Sequence, residues 1–268
     1  MINKIESSII KALFKPKTSS HKGDNGKLLI VGGSQKYHGA PLLAAKIAGK
    51  IVDLVYFSST PENNEFIKEM KSELCEFIAV SRQEINQIIK KVDVVLIGPG
   101  LGANKDNQQL INNLLKKHLN KKFVLDADGL KMVDKQLLGQ NVILTPHKAE
   151  FTFFFNLSAT AENVVKAAKK YGCTIVLKGK IDYIADHKSQ FKINATGNAG
   201  MTKGGTGDVL AGLIAALACK NDLFLSACAG VFINGLAGDM LKERVSYYYS
   251  ASDLILEIPK IIKQYIGD

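Results

Sequence analysis

The sequence predicts an α/β protein, a three-layer α/β/α sandwich around a mainly parallel central sheet. Three observations lead there. Short apolar runs of strand length alternate with helical segments along the 268 residues. The runs are continuously apolar instead of alternating with polar residues, as in strands buried on both faces. Most of them end in Gly, Pro, Ser, Asp or His, where a turn begins.

Near the N-terminus, Ile5, Ile9 and Leu13 share one face of an opening helix. The first strand is Lys27–Val31, followed by a helix over 40–50, the strand Leu54–Ser58 and a helix over 62–71. Strands over 74–80 and 92–97 flank a helix over 83–91, and a helix over 107–119 leads to a strand at 123–125. A helix over 130–137, the strand Val142–Leu144, a helix over Ala161–Tyr171 and the strand Thr174–Leu177 complete the alternation. The run Phe151, Phe153, Phe154, Phe155 reads as core. Right-handed crossovers place the C-terminal ends of all these strands along one edge. Two closer runs, 181–185 and 190–193, predict an antiparallel hairpin. Helices alone follow, over 209–219, 223–241 and 252–264, the last interrupted by Pro259. No repeat or linker divides the chain, so one domain is expected.

Composition narrows the function classes. Hydrophobic residues make up 46% and charged residues 22%, enough for a full core. The net charge of +10 is nearly all lysine; Arg82 and Arg244 are the only arginines. Specific base readout and bidentate phosphate gripping favour Arg, so no nucleic-acid partner is expected, although the charge would attract anionic small molecules such as nucleotides. No uninterrupted apolar run reaches about 18 residues, and the first residues lack a signal-peptide pattern, so no membrane partner is expected. Cys75, Cys173, Cys219 and Cys228 lie far apart with no C-x-x-C pair, which suits reduced thiols in a cytoplasmic protein. The apolar surface of 223–241 suits either a homo-oligomer or the interior of a monomer.

The chemistry gathers at the strand ends. After the first strand stand Gly32-Gly33-Ser34 and Tyr37-His38-Gly39-Ala40. After the later ones come Gly98-Pro99-Gly100-Leu101-Gly102, Asp126-Ala127-Asp128-Gly129, Thr145-Pro146-His147 and Lys178-Gly179. In open α/β sheets, ligands bind at this edge. The most informative stretch is 194–210, NATGNAGMTKGGTGDVL, with Gly197, Gly200, Gly204, Gly205 and Gly207 ahead of an apolar helix. Such a turn offers unpaired N–H groups and the positive end of the helix dipole to an anion. Asp208, in the first helical turn, either faces that anion site or serves as a dipole partner. Asp126 and Asp128 either hold a metal or cap the next helix. Gly98 to Ala103 formally matches a dinucleotide fingerprint, but Asp126 stands 28 residues beyond Gly98 where about 20 is expected. No P-loop is present.

Together, HKGDNGKLLIVGGS, YHGAPLLAA, IGPGLG, LDADGL, LTPHKAEF, VLKG and NATGNAGMTKGGTGDVLAG resemble the ADP- or ATP-dependent NAD(P)H-hydrate dehydratases of the ribokinase-like superfamily. The resemblance runs from about His21 to Asp239, with the motifs in the family's order. It implies a single ribokinase-like dehydratase domain over 1–268; related bifunctional proteins add an epimerase domain, for which this length is too short. It also implies a repair reaction in which the 6-hydroxyl of hydrated NADH or NADPH is phosphorylated from ADP or ATP, with Mg²⁺, and phosphate is eliminated. By the resemblance, Asp208 is the catalytic aspartate, contacting and deprotonating that hydroxyl. Ala40, Gly102 and His147 fall where the family contacts the hydrated cofactor. Lys178, Gly179, Lys180, Ile181 and Asp182 fall where it holds the nucleotide, as do Asn198, Ala199, Gly200, Met201, Thr202, Lys203, Gly204, Gly205, Thr206 and Gly207. The Mg²⁺ ligands are not legible. Two features depart from the pattern: Gly49-Lys50-Ile51 where Gly-Ala-Gly is common, and Lys203, which either assists phosphate or faces solvent. The competing readings are a ribokinase-like kinase of a small metabolite such as a vitamin precursor, a non-catalytic nucleotide sensor and a nicotinamide oxidoreductase.

Overall fold

The computed structural model describes residues 3–69 and 75–266. Among them are the strands β1 (Lys27–Val31), β2 (Leu54–Ser58), β3 (Ile78–Ala79), β4 (Val94–Ile97), β5 (Lys122–Leu125), β6 (Val142–Leu144), β7 (Thr174–Leu177), β8 (Asp182–Ala185) and β9 (Phe191–Asn194). They form one sheet in the order β3-β2-β1-β4-β5-β6-β7-β8-β9. Every pairing from β3 to β7 is parallel, and the β7–β8 and β8–β9 pairings are antiparallel. At the β9 edge the chain near its N-terminus adds a bridge, Ile5 N–H to Ile193 O and Ile193 N–H to Asn3 O, each 2.9 Å.

Alternation along each strand divides the core in two. Leu28, Ile30, Val94 and Leu96 face one layer, with α2 (Gly39–Ala48), α9 (Thr206–Ala218), α10 (Leu223–Val245) and α11 (Ala251–Ile266). Leu29, Val31, Val95 and Ile97 face the other, with α5 (Lys105–Lys117), α6 (Asp128–Met132), α7 (Lys148–Phe155) and α8 (Ala161–Tyr171). Period-two side-chain direction is what produces the three layers. The short helices α1 (Ser8–Lys11), α3 (Pro61–Glu69) and α4 (Ile85–Ile88) complete the set.

Several expectations need correction. The 74–80 strand shrinks to β3, with residue 74 outside the described residues; so are residues 70–71 of the helix expected over 62–71. The 83–91 helix is a single turn, α4. The 130–137 helix breaks at Val133, whose ψ of 136° is extended, and resumes as a 3-10 turn at Lys135–Leu137 under the Asp134 cap. The phenylalanine run is not simply core: it belongs to α7, where Phe151 is buried and Phe153 is 75% exposed. Pro259 lies inside a continuous α11. By length and composition α10 could cross a bilayer, but most of its side chains are buried against α9, α11 and the sheet. Its apolar surface is therefore consumed within the protein and gives no support to a homo-oligomer. The Gly49 turn closes the C-terminal end of α2, at the edge opposite the strand C-termini, so that departure does not touch the ligand edge.

Candidate active site

The loops after β4 and β5 cross in contact. Gly98 has φ +129°, and a Cβ there would lie 1.8 Å from the Asp126 carbonyl oxygen. No other residue type fits. Ala127, with φ 47° and ψ −118°, carries the strain of the β5 turn. Asp126 is 2% exposed; its Oδ1 accepts from Thr145 Oγ1 at 2.7 Å and from Lys178 Nζ at 2.8 Å. Lys178 is placed by its own backbone, whose N–H donates to Pro146 O at 2.8 Å, beside a bridge to His147. One ion pair thus ties together the ends of β5, β6 and β7.

The glycine stretch meets this pair. Gly205, φ +92°, is the N-cap of α9 and offers no side chain. Thr206 Oγ1 donates to Met201 O at 2.7 Å and Lys203 O at 3.0 Å, fixing the turn. Among the described residues, no protein acceptor takes the N–H groups of Gly207 and Asp208. Lys178 Nζ stands 3.7 Å from where a Gly207 Cβ would sit. Side-chain caps from Asn104, Thr160 and Asp222 close α5, α8 and α10, whereas α2 and α9 begin without one. Those two helices pack side by side, since a Cβ on Gly212 would be 2.6 Å from Ala44 O. Two open positive helix ends therefore face the same edge.

Charge is tuned here. Asp208 is half-buried; burial, then the Asp126 carboxylate, pushes its pKa up to about 7 against the opposing pull of Lys178. Burial works against the Lys178 ammonium, but Asp126, helped by Glu150 and Asp208, overrides it and holds the pKa above the ordinary lysine value. A carboxylate titrating near neutrality beside a fixed cation and free amides suits proton abstraction coupled to phosphoryl transfer.

The predicted residues distribute as follows. Ala40, in the first turn of α2, adjoins the β4 loop, a Gly100 Cβ falling 3.3 Å from its own. Gly102 N–H donates to Asp128 Oδ2 at 2.9 Å, and Asp128 also holds Lys131 at 2.8 Å. Neither Asp126 nor Asp128 is a side-chain cap, and no three His, Cys, Asp or Glu side chains gather into a metal site among the described residues. His147 is the N-cap of α7: its Nδ1 accepts from Ala149 N–H at 3.1 Å and Glu150 N–H at 3.3 Å, and Glu150 Oε2 accepts from the His147 N–H at 2.9 Å. This reciprocal cap made a helix of the phenylalanine run. It also fixes the imidazole at the rim of a pocket of about 300 Å³ lined by Leu130, Lys131, Phe153 and Phe154. A larger hollow, about 480 Å³, lies elsewhere, at the α9–α10 turn, and includes none of these groups.

Asp182 ties down the 178–182 turn, accepting from Gly179 N–H and Asn194 Nδ2, each at 2.9 Å, while Lys180 and Ile181 are exposed. Asn198 caps the 3-10 turn Ala199–Thr202. Lys203 is exposed and folds back over the loop instead of pointing at the open amides: its Nζ donates to Gly200 O at 3.4 Å and to Tyr247 O, and lies 5.0 Å over the Tyr249 ring. Sequence reasoning missed the Asp126–Thr145–Lys178 linkage. Its signal, polar residues ending consecutive parallel strands, was present without partner assignments.

Residues 28–260 match the family model described as NAD(P)H-hydrate dehydratase. The chain is 46% identical over 261 residues to the bifunctional NAD(P)H-hydrate repair enzyme Nnr of Methanocaldococcus jannaschii, covering 95% of this chain and 51% of that protein. It thus spans about half the length of that relative. It is 35% identical to the ADP-dependent (S)-NAD(P)H-hydrate dehydratase of Nitrosopumilus maritimus, covering 93% of this chain and 92% of the other. A ribokinase-like superfamily protein from Enterococcus faecalis superposes with TM-score 0.90 at 26% identity over 100% and 97% of the two chains. The ADP/ATP-dependent NAD(P)H-hydrate dehydratase of Bacillus subtilis, co-crystallised with ATP/Mg²⁺, superposes with TM-score 0.87 at 26% identity over 98% and 99%.

Proposed function

Because this chain belongs to the NAD(P)H-hydrate dehydratase family, we propose that it restores NADH or NADPH from the hydrated cofactor at the expense of ADP or ATP. The observation that carries the proposal is Asp208, a carboxyl poised at about 7 in the first turn of an uncapped helix beside Lys178. Asp208 takes the proton of the substrate's 6-hydroxyl, and the hydroxyl oxygen attacks the terminal phosphorus of the nucleotide. The shortened nucleotide leaves with the electrons of the broken P–O bond. Phosphate then departs from the ring carbon with the C–O electrons as a proton is lost from the neighbouring carbon, which regenerates the double bond. The free amides of Gly207 and Asp208 and the Lys178 ammonium hold the phosphoryl charge as it develops. Ala40, Gly102 and His147 line the substrate side. The 178–182 turn and residues 198–207 line the nucleotide side.

The residues fit a Mg²⁺ ion carried by phosphates. Asp126 is taken up by Lys178 and Thr145, so the ion would rest on phosphate oxygens and water near Asp208, as Mg²⁺ ordinarily does in nucleotide sites. When bound, Mg²⁺ neutralises phosphate charge. Residues 1–268 act as one domain in this reading. A reducing, cytoplasmic setting agrees with Cys173, Cys219 and Cys228, which are buried and form no disulfide.

The test is to incubate hydrated NADH or NADPH with the protein and ADP or ATP. Recovery of the reduced-nicotinamide absorbance is expected with at least one nucleotide. No recovery with either one would reject the proposal, and a stable phosphorylated product in its place would indicate a small-molecule kinase.

A further inference from the structure

Tyr247 and Tyr249 have no part in the reaction above, yet both touch its glycine-rich loop. Tyr249, between α10 and α11, is 3% exposed. Its hydroxyl donates to Asn198 Oδ1 at 2.8 Å, the same oxygen that receives the Gly200 N–H at 2.9 Å. The amide of Asn198 donates to Asp239 Oδ1 at 3.0 Å, and Asp239 Oδ2 accepts from Gly197 N–H at 2.9 Å. The Tyr249 ring presses against the loop so closely that a Cβ on Gly200 would lie 2.6 Å from it. On the same ring lies the Lys203 ammonium, which also donates to Tyr247 O. The loop's first half is thus fastened at Gly197, Asn198, Gly200 and Lys203 by α10 and the segment after it. Its second half, Gly204 to Asp208, holds the amides that remain open.

We propose that Tyr249 and Asp239 are positioning residues for nucleotide binding: they clamp the 197–203 arm, through Asn198, so that the amides of the following turn stay aimed at a nucleoside di- or triphosphate. The inference rests on the reading of residues 198–207 as the nucleotide loop, and adds two residues from α10 and the α10–α11 link that need not touch the nucleotide. Preorganised donors lose affinity when their support loosens, because binding must then order them. Loss of one buried hydrogen bond corresponds to about a tenfold change.

Tyr249→Phe keeps the ring and removes only the hydroxyl; Asp239→Asn keeps the shape but loses one of two accepting oxygens. ADP affinity is measured by calorimetry on the full chain. KM for nucleotide, KM for hydrated cofactor and thermal midpoint are measured alongside. The expected result is about a tenfold weaker Kd and higher KM for nucleotide in Tyr249→Phe, and a larger loss in Asp239→Asn. The KM for hydrated cofactor stays within about twofold. Unchanged ADP affinity in both variants, with wild type binding normally, overturns the inference alone, whatever the thermal midpoint does. Equal weakening toward nucleotide and hydrated cofactor also overturns it, since that marks general loosening. Wild-type protein that binds neither ADP nor ATP overturns the nucleotide-loop reading itself.

Discussion

In the proposed reaction, the proton transfer rests on one titratable group, Asp208. Burial and the neighbouring Asp126 raise its pKa to about 7, so its basic form grows as pH rises. Dehydration should therefore increase about tenfold per pH unit below about 7 and level off above it. Asp208→Asn should lower kcat by about 10²–10⁴-fold, the range for a lost general base, and abolish that pH dependence. Initial rates between pH 5 and 9 check both outcomes. Stability carries the opposite sign. The pKa is higher in the folded than in the unfolded state, so between about 4 and 7 the native protein binds more protons than the unfolded chain, and this carboxyl costs stability as pH rises. Denaturant unfolding should find Asp208→Asn more stable than wild type by about 2–4 kcal/mol at pH 8, the gap between about 7 and the ordinary carboxyl value discounted for partial exposure, with no gain near pH 3.5. No gain at pH 8 would show that the carboxyl is not strained by its surroundings.

At the level of elements, the backbone of the edge loops sets the geometry. Gly98→Ala would drive a Cβ into the Asp126 carbonyl, at a φ unsuited to alanine, and should cost more than about 3 kcal/mol with loss of activity. Gly204 has open space around its missing Cβ and no positive φ, so Gly204→Ala should stay within about 1 kcal/mol. Thermal or denaturant unfolding distinguishes the two. The strands of the sheet were legible because β1, β2 and β4 to β7 are continuous apolar runs, a pattern that burial on both faces enforces. The edge strand β3, two residues long, lacks that enforcement and was drawn too long. Helix α7 escaped because its apolar content gave no clear period; a histidine cap, not a hydrophobic stripe, starts it. Asp208, His147 and Lys178 were legible as strand-end and helix-start residues. That Asp126 binds Lys178, or that Tyr249 reaches Asn198 across 51 positions, depends on tertiary contact and leaves no local pattern.

Across the whole molecule, one sheet combines a parallel portion, β1 to β7, with an antiparallel edge, β8 and β9. Parallel strands β1 to β6 carry Ala40, Gly102 and His147 at their C-terminal edge, the proposed substrate side, and the β8–β9 hairpin leads into residues 194–207, the proposed nucleotide loop. In the proposed reaction the uncapped start of α9 lies between the two sides, and a hydroxyl and a phosphoryl group would meet at Asp208. In the proposed order of steps, the hydroxyl oxygen takes up the phosphoryl group before its bond to carbon breaks. Preparing hydrated NADPH with heavy oxygen in its 6-hydroxyl, and following the label through one turnover, tests it directly. The heavy oxygen should end in inorganic phosphate. Recovery of NADPH with the label in water would contradict it.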